Sequence, residues 1–107
     1  MGGAAMRVIS RRTIREFCAQ NRRHDREAAE KELSAWFYEA RHARWETPAD
    51  VKEMYRSASI LKDGRCVFNI CGNDYRLIVR IDYGHGIIYI RWIGTHGDYD
   101  QINAEEV

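Results

Sequence analysis

The residues of this chain most suited to chemistry gather towards its end. The run Gly94-Thr95-His96-Gly97-Asp98-Tyr99-Asp100 sets an imidazole and a phenol three residues apart. An imidazole takes up or releases a proton near neutral pH, which suits it to general acid or base work. Upstream stand Arg65, Arg76, Arg80 and Arg91. A guanidinium presents a planar fork of donors that matches two oxygens of a phosphate at once. Other chemistries find no footing. Cys66 and Cys71 are five apart in a strand-like stretch, hence on opposite faces, and no zinc-ligand spacing survives. No serine sits in a nucleophile-elbow context, and no glycine-rich phosphate loop is present. No metal or cofactor is expected.

The elements that must position these groups read in two halves. Arg7-Val8-Ile9 is a short strand candidate. Ser10 or Thr13 then caps a helix carrying Ile14, Phe17 and Cys18 at i, i+3, i+4 spacing. A polar interruption, Gln20 to Asp25, precedes a second helix with Ala29, Leu33, Trp36, Phe37 and Ala40 on one face. Thr47-Pro48 with Asp50 starts a third over roughly Pro48 to Tyr55, combining a cap, a first-turn proline and an acid at the positive dipole end. From Ser57 the period changes to alternation. Ala58 to Leu61, Arg65 to Cys71, Asp74 to Asp82 and Ile87 to Ile93 read as strands, separated by Asp63-Gly64, Gly72-Asn73 and Gly84-His85-Gly86 turns. Asp98 opens a short helix running towards Ala104. Helices first and a meander second predict an α+β domain, its N-terminal helices packed on one face of an antiparallel sheet.

Two-residue loops at Gly72-Asn73 and Gly84-His85 predict a register. They pair Cys71 with Asp74, Asn69 with Arg76 and Phe68 with Leu77, then Asp82 with Ile87, Arg80 with Tyr89 and Ile78 with Arg91. Because successive side chains alternate, one face collects Cys66, Phe68, Ile70, Tyr75, Leu77, Val79, Ile81, Ile88, Ile90 and Trp92. That face is apolar and belongs against the helices. The other collects Arg65, Asn69, Arg76, Arg80, Tyr89 and Arg91, interleaved with Val67, Ile78 and Ile93. Arginines at cross-strand distance repel one another, so a phosphate-bearing partner is a sound reason to keep four together. A plain solvated face is the simpler reading. Against it, face-sharing acids are few, since Asp74 and Asp82 sit at strand ends. His96 and Tyr99 fall at the rim of this face.

Composition narrows the class. The chain has 107 residues, 45% hydrophobic and 31% charged, enough for one core and one domain. Residues 1–5, MGGAA, read as a tag or disordered extension, leaving 6–107 as the single domain. No apolar run reaches a membrane span's length and no secretory signal is read, so the three cysteines are expected as reduced thiols in a cytoplasm. Net charge is only +1, so nucleic-acid binding would have to rely on a local cluster.

Three stretches then resemble a known family: W-x-T-P-A-D-V-K from Trp45 to Lys52, V-F-N-I-x-G-N-x-Y-R-L from Val67 to Leu77, and Y-I-R-W-I-G-T-H-x-x-Y-D from Tyr89 to Asp100. With the opening R-V-I-S-R-R-T-I-R-E-F from Arg7 to Phe17, they are similar to the HigB family of toxin ribonucleases, within the RelE-like superfamily. Cys71, Trp92 and Gly97 depart from it, where lysine, phenylalanine and alanine are common. The resemblance implies a RelE-like fold and a toxin that cleaves ribosome-associated mRNA, neutralised by a HigA-type helix-turn-helix antitoxin. It implies a metal-independent attack by the substrate's own 2′-hydroxyl, which needs a base, an acid and cations around the phosphorane. On that footing Arg76 and Arg91 hold the phosphate. His96 and Tyr99 serve as acid, base or stacking groups, and Asn69, Arg65, Arg80 and Tyr89 bind RNA. A non-catalytic RNA- or ribosome-binding module on the same arginine face is the alternative.

Overall fold

The computed structural model describes residues 5–107. The expected extension therefore lies outside the described residues except for Ala5, which is exposed, whereas Met6 is already buried. Strand β1 (Arg7–Ile9) leads into helix α1 (Arg11–Gln20). Of the two expected caps Ser10 is the one used, its hydroxyl accepting from the Arg12 N–H at 3.1 Å. Helix α2 (Arg26–His42) buries Ala29, Leu33, Trp36 and Ala40, the stripe its spacing predicts. Helix α3 (Pro48–Met54) starts with a full capping box: Thr47 accepts from the Asp50 N–H, and Asp50 accepts from the Thr47 and Glu46 N–H groups. Those donors hold the Asp50 carboxyl below the usual carboxylate range.

Strands β2 (Ser59–Ile60), β3 (Arg65–Ile70), β4 (Tyr75–Asp82) and β5 (Ile87–Thr95) follow, then a one-turn helix α4 (His96–Tyr99). The sheet order is β1-β5-β4-β3-β2. β2 to β5 form the expected antiparallel meander, but β1 joins the β5 edge in parallel, so the sheet is mixed rather than purely antiparallel. The core lies between the helices and one sheet face, where Leu33, Trp36, Phe68, Leu77, Val79 and Ile88 are essentially inaccessible.

The first hairpin has the predicted register, Asn69 opposite Arg76 and Phe68 opposite Leu77. Its ladder stops one pair early, because Cys71 and Gly72 both take left-handed backbone in the turn. The second hairpin starts in register, Asp82 with Ile87 and Arg80 with Tyr89, and then departs. A β-bulge between Ile78 and Val79 sets Ile78 opposite Trp92, not Arg91, leaving Arg91 as the extra residue. Alternation inverts beyond it. Trp92, expected in the core, joins the arginine face, and Ile93, expected outside, packs against the core. Gly94 permits the change: a Cβ there would lie 2.3 Å from the Trp92 ring, so the indole covers a position only glycine can fill.

Candidate functional site

The strands deliver the arginines to the face away from α1 and α2 in two groups. In the first, Asn69, Arg76 and Gly94 stand in one transverse row across β3, β4 and β5. Arg76 is half-buried and anchored at the hairpin: its Nη1 donates to the carbonyls of Asn73 at 2.9 Å and Tyr75 at 3.2 Å. Its guanidinium lies over the Tyr99 ring, 5.6 Å from the centroid. Tyr99 in turn meets Trp92, with ring centroids 6.3 Å apart. One cation and two aromatic faces are thereby assembled at the end of the sheet.

Helix α4 supplies the other chemistry. It begins at His96, two residues before the expected Asp98, and lasts one turn rather than running to Ala104. Thr95 caps it by accepting from the Asp98 N–H, while the His96 N–H donates to the Asp74 carbonyl at 2.9 Å. The helix is thus tied to the turn preceding Arg76. With His96 at the first helical position, Asp100 falls at i+4, and its Oδ2 is 3.6 Å from His96 Nε2. The imidazole is exposed and has a carboxylate neighbour, an arrangement able to take up a proton or give one.

The second group holds Arg65, Arg80, Tyr89 and Arg91. The first three share a transverse row, with Arg80 exposed at its centre. Arg65 Nη2 and Arg91 Nε both donate to the main-chain oxygen of Val107, at 3.1 and 3.3 Å. Sequence reasoning placed Arg91 diagonal to Arg76, close enough to share one phosphate. The bulge instead sets Arg91 three residues along β5 from Gly94, the partner of Arg76, about 10 Å of strand. The two arginines therefore belong to different groups. Nor is the face bare. Val67 and Ile78 lie on it yet are buried, and the segment after α4 turns back towards it, fixed by the Val107 bonds and a Lys62–Glu105 ion pair.

A polar network behind the site was not foreseen. The Tyr75 hydroxyl, on the core side, donates to Asp25 at 2.6 Å and accepts from Asn21 and Arg23 at 2.9 and 3.0 Å. Hydrogen bonds from Arg23 and Tyr75 hold the Asp25 carboxyl down at about 2, while burial raises the Tyr75 phenol. The α1–α2 connection is in this way pinned to the residue preceding Arg76. Sequence reasoning also passed over Asp100 and Trp92; the first shows itself only once the helix is started at His96. Among the described residues, no three His, Cys, Asp or Glu side chains are gathered as a metal would require.

No curated protein matches the chain. The profile of the HigB toxin family, the RelE-like toxic component of a toxin-antitoxin system, matches residues 29–102. That span runs from α2 through α4 and includes both arginine groups, His96 and Tyr99. With the α+β architecture, it settles the family: the chain belongs to the HigB toxins, RelE-like toxic components of toxin-antitoxin systems.

Proposed function

We propose that this toxin is an endoribonuclease that cleaves ribosome-associated mRNA in the cytoplasm, by attack of the substrate 2′-hydroxyl on the adjacent phosphorus. The observation that carries the reading is the assembly of Arg76, Tyr99 and His96 at one end of the sheet, where α4 is tied to the turn beside Arg76. Arg76 neutralises the developing phosphorane charge, with Asn69 beside it in the row to orient the phosphate or meet a base edge. His96, with Asp100, exchanges the proton of the attacking hydroxyl or the leaving 5′-oxygen. Tyr99 and Trp92 offer stacking faces for an unpaired base. Arg65, Arg80, Tyr89 and Arg91 hold the flanking backbone, and none of these steps calls on a metal. A toxin-antitoxin system implies an antitoxin, and the proposed one is HigA-type, with a helix-turn-helix domain.

The test is product chemistry. Message cleaved in a translation extract by the purified chain is expected to carry a 5′-hydroxyl on one fragment and a cyclic or 3′-phosphate on the other. Fragments ending in 5′-phosphate and 3′-hydroxyl overturn the 2′-hydroxyl route. Binding to ribosomes without any cleavage favours the non-catalytic module instead.

A further inference from the structure

Arg65 and Arg91 reach one oxygen atom from strands two places apart in the sheet, their backbones about 9–10 Å from each other. The convergence makes an anion site, and its present occupant serves it poorly. The Val107 oxygen is a single acceptor shared by two guanidiniums. Arg65 Nε, moreover, is buried and meets no acceptor among the described residues. A phosphodiester brings a full negative charge and two non-bridging oxygens, enough for both cations and the orphaned N–H. The occupying segment is also lightly held. Its ion pair, Lys62–Glu105, has both side chains well exposed. Its last turn depends on Asn103, whose side chain accepts from the Glu105 N–H and whose carbonyl accepts from the Glu106 and Val107 N–H groups.

We infer that the Arg65–Arg91 pair is a phosphate-binding site that the chain's own segment 101–107 covers, so that RNA must displace this segment to bind. The inference rests on the RNA reading above and adds to it an intramolecular competitor for the same site. Asn103 touches neither arginine, so loosening its turn without altering charge isolates the competition from the electrostatics of RNA binding.

The experiment titrates a short 2′-O-methyl oligoribonucleotide, which cannot attack its own phosphate, into the full-length protein. It follows the Val107 amide resonance alongside the dissociation constant. Arg91→Ala supplies the reference for a released segment. The expected result is that the oligonucleotide moves the Val107 signal of the wild-type chain to the Arg91→Ala position. Asn103→Gly should bind the oligonucleotide roughly threefold more tightly than wild type. Binding that leaves the Val107 signal unmoved overturns the competition while sparing the RNA reading. So does an Asn103→Gly affinity equal to wild type, or an Arg91→Ala signal identical to it. Failure of every variant to bind the oligonucleotide removes the RNA reading itself, and this inference with it.

Discussion

Under the proposed mechanism, adjacent residues on β4 separate catalysis from construction. Arg76 is half-buried on the outer face, whereas Leu77 is fully buried against the helices. Leu77→Ala is expected to cost ~2–5 kcal/mol as a cavity in the core. Arg76→Ala loses the turn contacts and the Tyr99 ring contact but none in the core, so it should melt close to wild type and yet cleave little message; thermal unfolding beside a cleavage assay reads both. Loss of stability by Arg76→Ala equal to that of Leu77→Ala would mean that this side chain builds the fold. His96 lies outside the core, and its exchange for alanine should slow cleavage by roughly 10²- to 10⁴-fold, the usual worth of a general acid or base. A folded His96→Ala protein with wild-type activity strikes the imidazole from the mechanism. Asp25 belongs to stability. Its carboxyl is held at about 2 in the folded chain against an ordinary 3.8. A depressed carboxyl stabilises the fold above its unfolded pKa and ceases to do so as pH falls through the folded one. Asp25→Asn should therefore lower the melting temperature at pH 7, and the gap from wild type should close as pH falls from about 4 towards 2. A gap that stays constant over that range dissociates the effect from the Asp25 charge.

The strands, helices and hairpin registers were largely legible because each rests on local signals. Glycine turns set the pairing of Asn69 with Arg76 and Arg80 with Tyr89, and alternation then assigned the faces. Two features were not legible, for different reasons. A bulge inserts one residue without interrupting the run of strand formers, so Ile90 to Ile93 looks the same with or without it. The Tyr75 network joins residues 50 or more positions apart, and Asn21, Arg23 and Asp25 look like an ordinary polar connection until the sheet is in place. The bulge makes its own prediction. Gly94→Ala puts a methyl carbon within the Trp92 ring and must displace either the indole or the strand. Overpacking of this kind typically costs ~1–3 kcal/mol. The variant should show a lower melting temperature, an altered tryptophan emission and weaker cleavage, since Trp92 carries the Tyr99 ring that lies under Arg76. A Gly94→Ala protein with wild-type emission and stability contradicts the placement of Trp92 on the outer face.

At the scale of the molecule, a net charge of +1 gives no broad attraction to RNA, so the proposed RNA binding must rely on where particular cations stand. The structure gathers Arg65, Arg76, Arg80 and Arg91 on one sheet face, with the helices and the core on the other side. Such local binding is salt-sensitive in proportion to the phosphates it neutralises. Membership of a toxin-antitoxin family adds a constraint, because it implies an antitoxin partner. Two routes are open to the proposed HigA-type partner. It can cover the arginine face directly, or it can attach elsewhere and bar the toxin from the ribosome by bulk. They differ in what a short RNA experiences. Covering the face should abolish binding of a short oligonucleotide to the complex, whereas obstruction should leave that binding intact while cleavage in a translation extract is lost. Under either route the purified cognate complex cleaves message more slowly than the free chain. A complex that cleaves as fast as the free toxin sinks the assignment of that antitoxin as its neutralising partner.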